Sequence, residues 1–185
     1  WSVREACAAG IREPFAGSFA DATDRLERLL GDAVERRLVA DVPVGALLSG
    51  GIDSSTVVAL MRARGTGPVR TFTIGFAEDS HDEAPHARAV AAHLGTEHHE
   101  LQVSARDALD LVPDLADIYD EPFADSSMLP TILVCRLARQ EVTVALTGDG
   151  GDELFAGYAY YAQARRHWRK LARRGLAWRQ LQAGC

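Results

Sequence analysis

Apolar positions along the chain recur with two periods, and the two alternate. From residue 24 to 38 the stripe Leu26, Leu29, Leu30, Val34 and Leu38 has helical spacing, with Asp24 and Glu27 as a capping-box-like start. Asp41-Val42-Pro43 ends that helix, because proline disfavours helical geometry in the residue before it. Val44 to Leu48 is a short apolar run suited to a buried parallel strand. Thr56 to Met61 predicts a helix ending before Gly65, and Val69 to Phe76 a second strand rich in Thr, Phe and Ile. Residues 82–94 predict a helix closed by Gly95, 97–103 a third strand, and 105–118 a helix. A polar loop follows over Asp120 to Pro130, then a helix over 131–140 and a fourth strand over Val142 to Leu146. From Leu154 the pattern turns helical again.

Strands alternating with helices imply an α/β fold with a parallel sheet and flanking helices. Residues 1–22 show no clear period and read as a linker, or the remnant of a preceding domain. Residues 23–185 then form one domain. Two glycine-rich loops, Ser49 to Ser55 and Thr147 to Glu153, each follow the C-terminal end of an expected strand, which is where ligands bind in open α/β sheets.

Composition narrows the function classes. The chain has 185 residues, 47% hydrophobic and 25% charged, as in an ordinary globular protein. No apolar run approaches the length of a bilayer span, and the N-terminus lacks the order of a signal peptide, so a cytoplasmic protein is the simplest reading. A net charge of −6 argues against a broad nucleic-acid footprint. Arg165, Arg166, Arg169, Lys170, Arg173 and Arg174 line one helix face, read first as a solvated surface and second as an anion- or RNA-binding one. Cys7, Cys135 and Cys185 are too few and scattered for a disulfide framework or zinc site. Cys135, inside an apolar run, is expected in the core, and nothing near Cys7 supports a nucleophile.

The first loop carries the strongest chemical signal. Gly50 and Gly51 let the backbone bend sharply and approach a ligand. The loop opens a helix, whose free N–H groups and dipole favour an anion, and Ser49, Ser54 and Ser55 add hydroxyls. A phosphate chain fits that set. Asp53 fits it too if Mg²⁺ bridges carboxylate and phosphate. The Gly-x-x-x-x-Gly-Lys-Ser/Thr and Gly-x-Gly-x-x-Gly patterns are both absent, and Lys170 is the only lysine in the chain. In the second loop Asp152 is a candidate second Mg²⁺ carboxylate, and Asp149 a candidate group facing substrate.

At these residues the sequence resembles the glutamine-hydrolysing asparagine synthetase family, over about Thr23 to Tyr161. The resemblance is carried by Asp41 to Gly45, Leu48 to Ser55, Thr71 to Phe76, His93 to Glu100, Tyr119 to Ser127 and Thr147 to Tyr158. The Ser-Gly-Gly-x-Asp-Ser loop alone marks the wider N-type ATP pyrophosphatases. The resemblance implies an adenine nucleotide alpha hydrolase-like (HUP-type, Rossmann-like) fold. It also implies a ligase using ATP and Mg²⁺, in which the aspartate carboxylate attacks the α-phosphorus, pyrophosphate leaves, and ammonia displaces AMP from β-aspartyl-AMP. It assigns Ser49, Gly50, Gly51, Asp53, Ser54 and Ser55 to pyrophosphate, and Leu47, Ile74, Thr147 and Gly148 to the adenosine part. Asp53 and Asp152 match the Mg²⁺ carboxylates, and Asp149 an acid linked to forming the acyl-adenylate. Thr147 replaces a serine common there, and Asp149 is shorter than the glutamate often found.

The family's glutaminase cysteine and its C-terminal lysine-bearing region have no counterpart here, so the chain is expected to be a fragment whose ammonia comes from an absent glutaminase domain. Aspartate and ATP are the expected partners, with a homodimer admitted for the full-length protein and neither nucleic acid nor membrane expected. Two other readings stay open: a related adenylating amide former of the β-lactam-synthetase kind, differing around residues 120–130, and a non-catalytic nucleotide-binding remnant. RNA-thiolating and lysidine-forming relatives share the first loop but rank lower on charge and on the second loop.

Overall fold

The computed structural model describes residues 1–76, 82–121 and 124–172. The chain forms two compact units, Trp1–Thr147 and Gly148–Cys185.

The first unit is built on a four-stranded parallel sheet of order β3-β2-β1-β4, from β1 (Val44–Leu47), β2 (Arg70–Phe76), β3 (Glu97–Val103) and β4 (Val144–Leu146). Leu47 registers with Phe72, Phe72 with His99, and Ala46 with Leu146. The expected parallel α/β architecture is therefore what the chain adopts. Succession from β1 to β3 runs one way and β4 lies on the other side of β1. The topological switch point is thus between β1 and β4, where open α/β sheets bind ligands.

One sheet face is covered by α2 (Phe19–Leu38), α3 (Ile52–Arg64) and α4 (Ala84–Leu94). Val34, Val58, Met61, Ala87 and Ala91 pack there on Ala46, Leu48 and Val69. Three alanines, Ala84, Ala87 and Ala91, form the buried stripe of α4 and let it lie close on the sheet. Gly95, at φ 65°, ends that helix as expected. The opposite face is covered by α7 (Met128–Ala138), whose Val134, Leu137 and Ala138 pack with Phe72, Leu47 and Val142.

Several boundaries differ from the sequence reading. Residues Val3–Arg12 form a helix, α1, capped by the Ser2 hydroxyl and with no buried residue. Its apolar positions Val3, Cys7 and Ile11 do have helical spacing, which the sequence reading missed, and in the structure all three are exposed. Helix α2 starts earlier, where Ser18 and Asp21 form the capping box instead of Asp24 and Glu27. The helix expected over 105–118 is interrupted. Helix α5 (Ala105–Leu111) passes through a 3-10 turn at Val112–Asp114 into α6 (Leu115–Ile118), as Pro113 has no N–H to donate. Cys135 is exposed, not in the core. It shares the outer side of α7 with Thr131, one turn back, while Ile132 and Ala138 face inward.

The second unit contains α8 (Gly151–Phe155) and α9 (Ala159–Ala172). Arg165, Arg166, Arg169 and Lys170 lie exposed on α9, and Arg173 and Arg174 fall outside the described residues, as do Pro122, Phe123 and Cys185.

Candidate nucleotide site

Strand β1 runs directly into the first glycine-rich loop. The Leu48 N–H still donates to the Phe72 carbonyl (2.9 Å), so the sheet holds the chain to the brink of the loop. There two serines close a ring. The Gly51 N–H donates to Ser49 Oγ (3.3 Å), Ser49 Oγ pairs with Ser54 Oγ (3.0 Å), and the Ser54 hydroxyl donates to the Gly51 carbonyl (3.3 Å). The Ser49 N–H also donates to Ser54 Oγ (3.3 Å). One proton arrangement satisfies every member: Ser49 gives its proton to Ser54, and Ser54 gives its own to Gly51. Ser54 is buried and Ser49 half-buried, so their hydroxyls shape the loop from inside.

The glycines divide the remaining work. Gly50 has φ 82°, in the left-handed region, and a Cβ there would lie 2.6 Å from the Ala87 nitrogen and 2.7 Å from His86 Cβ. Its missing side chain thus makes room for the first turn of α4. Gly51 has an ordinary φ of −69°, and among the described residues a Cβ there would meet only Ser49 Oγ at 3.3 Å, so its outer side is open to them. Gly51 is also the N-cap of α3 and makes no side-chain cap. The first-turn N–H groups of Ile52, Asp53 and Ser54 therefore point out of an uncapped helix end, beside a half-buried Asp53. Ser55 differs from its neighbours: its hydroxyl oxygen is buried and has no hydrogen-bond partner among the described residues.

Register places Leu47 and Ile74 on one sheet face. Leu47 lies beside Phe72, and Ile74 follows two residues on, both half-buried on the side that α7 covers. Thr147 leaves β4, the neighbour of β1, at the same edge and is half-buried.

The second unit carries Gly148, Asp149 and Asp152. The Gly151 N–H donates to the Gly148 carbonyl (3.2 Å), closing a turn that Gly150 permits at φ 88°. Asp149 is exposed and Asp152 half-buried at the start of α8. A Cβ at Gly157 would overlap the Asp152 carboxylate, so the glycine gives that carboxylate its place, and the Gly157 N–H donates to the Asp152 carbonyl (3.0 Å). Tyr158 donates to Glu153 (2.8 Å), and that bond pushes its hydroxyl pKa up to about 12. Tyr158 stacks on Tyr160, with Tyr161 against both rings. The sequence reading missed this aromatic trio, whose members lie within four residues of one another at the start of α9.

Motif residues of β3 brace the fold. His98 Nδ1 bonds Thr71 Oγ1 (2.9 Å), which also pairs with Thr96 Oγ1 (2.9 Å). Burial pushes the His98 pKa down. Arg88 grips Glu100 through two nitrogens (2.8–3.1 Å), and Gln102 donates to the same carboxylate, holding it below the usual range. Around the expected substrate loop a cavity of about 400 Å³ is lined by Leu115, Tyr119, Asp120, Glu121 and Met128, among others.

Among the described residues no three His, Cys, Asp or Glu side chains gather as a metal cage, and no helix is long and apolar enough to cross a membrane. Asp53, beside an open helix end, suits the mode in which Mg²⁺ is held by one or two carboxylates and by phosphate oxygens.

Comparison with known proteins bears on the family and the fold. A Methanocaldococcus jannaschii protein provisionally named glutamine-hydrolyzing asparagine synthetase 2 is 50% identical over 133 residues, which is 71% of this chain and 26% of that protein. Asparagine synthetase (glutamine-hydrolyzing) 1 of Bacillus subtilis is 38% identical over 132 residues, 71% of this chain and 21% of that protein. The chain thus spans about a quarter of the length of these relatives. The solved NH3-dependent NAD synthetase of Campylobacter jejuni superposes with a TM-score of 0.51 at 18% identity, covering 74% of this chain and 60% of that one. That likeness concerns the fold alone, which is the adenine nucleotide alpha hydrolase-like one. The asparagine synthase family model matches residues 25–184, and the chain belongs to that family.

Proposed function

We propose that this chain is the ATP-binding part of an enzyme that amidates aspartate to asparagine. The observation that carries the reading is the uncapped start of α3, shaped by left-handed Gly50 and the serine ring at the sheet's switch point, in a chain of the asparagine synthase family. In this reading Ser49, Gly50, Gly51, Asp53, Ser54 and Ser55 build the pyrophosphate site. Leu47, Ile74, Thr147 and Gly148 hold the adenosine. Asp53 and Asp152 are the carboxylates for Mg²⁺, which when bound offsets phosphate charge. Asp149 serves formation of the acyl-adenylate.

The chemistry follows from charge. The aspartate side-chain carboxylate attacks the α-phosphorus of ATP, the bond to the bridging oxygen breaks, and pyrophosphate departs with its electron pair. Backbone N–H groups already aimed at the departing anion need no reorganisation as its charge grows. Ammonia then attacks the acyl carbon and AMP leaves. Residues 23–185 form the synthetase part, and residues 1–22 lead into it from a glutaminase domain that releases the ammonia. A cytoplasmic, homodimeric full-length enzyme goes with this reading.

The test uses the full-length protein with ATP, Mg²⁺, aspartate and ammonia. Stoichiometric pyrophosphate, AMP and asparagine are expected. Absence of pyrophosphate and asparagine above background would overturn the proposal, and a panel of other carboxylates would reveal a different acceptor.

A further inference from the structure

The first loop has a charge problem. It is proposed to hold pyrophosphate, yet its one ionisable side chain is Asp53, and the chain's only lysine is Lys170. The arginines of α3, Arg62 and Arg64, sit in its last turn, at the far end from the loop. On α4, Arg88 is committed to Glu100.

Helix α4 supplies another group. In a parallel α/β layer each helix begins at the edge where the preceding strand ends, so α3 and α4 both start at the edge that carries the loop. The loop and α4 are in contact there, since a Cβ at Gly50 would strike Ala87 N and His86 Cβ. His86 is in the first turn of α4 and exposed; its backbone N–H donates to the Glu83 carbonyl (3.1 Å), and its imidazole has no hydrogen bond or ion pair among the described residues. Acidic residues close to it in the chain are Glu83 and Asp82, whose carboxylate accepts from Phe76 N (3.2 Å) and Ala84 N (3.1 Å), and the loop that α4 packs against carries Asp53.

We propose that His86 is a phosphate-binding residue: resting on the reading of the loop as a pyrophosphate site, its imidazole donates to the β- or γ-phosphate of ATP from the α4 side. The loop's backbone N–H groups then hold the anion from one wall and His86 from the other. Gly50 is glycine because the two walls must meet.

Full-length protein is titrated with inorganic pyrophosphate, ATP and AMP, each with Mg²⁺, for the unchanged chain and for His86→Ala, His86→Lys and His93→Ala. His93 is exposed two turns further along α4 and serves as control. His86→Ala is expected to weaken pyrophosphate and ATP about tenfold, the size of one charge-assisted hydrogen bond. AMP binding should hold, His86→Lys should recover most of the loss, and His93→Ala should match the unchanged chain. Undiminished pyrophosphate affinity in His86→Ala overturns the proposal. So does an equal loss for AMP, or a lysine variant no better than alanine. If the unchanged protein binds none of the three, the nucleotide reading itself fails, which is a separate outcome.

Discussion

Removing one buried hydroxyl tests whether the serine ring shapes the loop. In Ser54→Ala, the Gly51 carbonyl loses a donor, and the Ser49 N–H and hydroxyl lose their shared acceptor. Each net hydrogen bond contributes ~1 kcal/mol, and a donor left buried and unpaired adds about as much again. The Ser49 hydroxyl can rotate to another partner, but the Ser49 N–H is fixed by the strand and cannot. Allowing for that relief, the loss is ~2 kcal/mol. For a chain of this length that lowers the melting temperature by roughly 4–8 °C. The assay is urea and thermal unfolding of the full-length protein without nucleotide, followed by ATP titration. The urea midpoint should fall with its slope unchanged, and ATP affinity should fall as well, because the α3 N–H groups are no longer held in place. A variant melting within about 2 °C of the parent and binding ATP normally would refute the ring as a structural device.

Two further predictions use the same unit. Gly50→Ala should cost at least ~2 kcal/mol, since a left-handed residue acquires a Cβ against the backbone of α4, whereas Gly51→Ala should fold at a cost of ~1 kcal/mol and lose nucleotide affinity; equal unfolding midpoints for the two would contradict the division between them. His98 has a folded pKa pushed below its ordinary 6.5 by burial, so the unfolded chain binds more protons between those two values, and stability should decline as pH drops through about 6.5. Urea midpoints from about pH 7.5 to about pH 5 should fall less steeply in His98→Gln than in the parent, and identical slopes would remove His98 from the account.

How much of this was legible in the sequence depends on how local the cause is. Strand β3 was read to its ends, because Gly95 before it and Ser104 after it are local stop signals. Pro113 is equally visible, and its missing N–H is the local signal for the break inside the helix expected over 105–118. Helix α1 was legible in the same local way, from its Ser2 cap, its acidic first turn and basic last turn, and the i, i+4, i+8 spacing of Val3, Cys7 and Ile11, although no residue of it is buried. The expectation of a core Cys135 treats the five apolar or β-branched residues 131–135 as one patch. They turn through more than a full helical turn, so at least one must face away from the sheet.

The site divides along the same line. Two glycines, three hydroxyls and an acid at the end of an apolar run are local, and they announce an anion-binding helix start. Their separate tasks are not. Three serines look alike in the sequence, and only the fold distinguishes Ser49 and Ser54, spent on each other, from Ser55, whose hydroxyl is buried without a partner among the described residues. Two glycines look alike too, until α4 packs against one of them. Gly50 answers to residues 86 and 87, which sequence spacing does not connect to it, and Gly51 faces outward. A glycine pair in such a loop is therefore two demands from opposite directions, one from the fold behind and one from the proposed ligand in front. Substituting each alone separates them, because only the first should change the stability of the protein with no nucleotide present by much more than the loss of a cap.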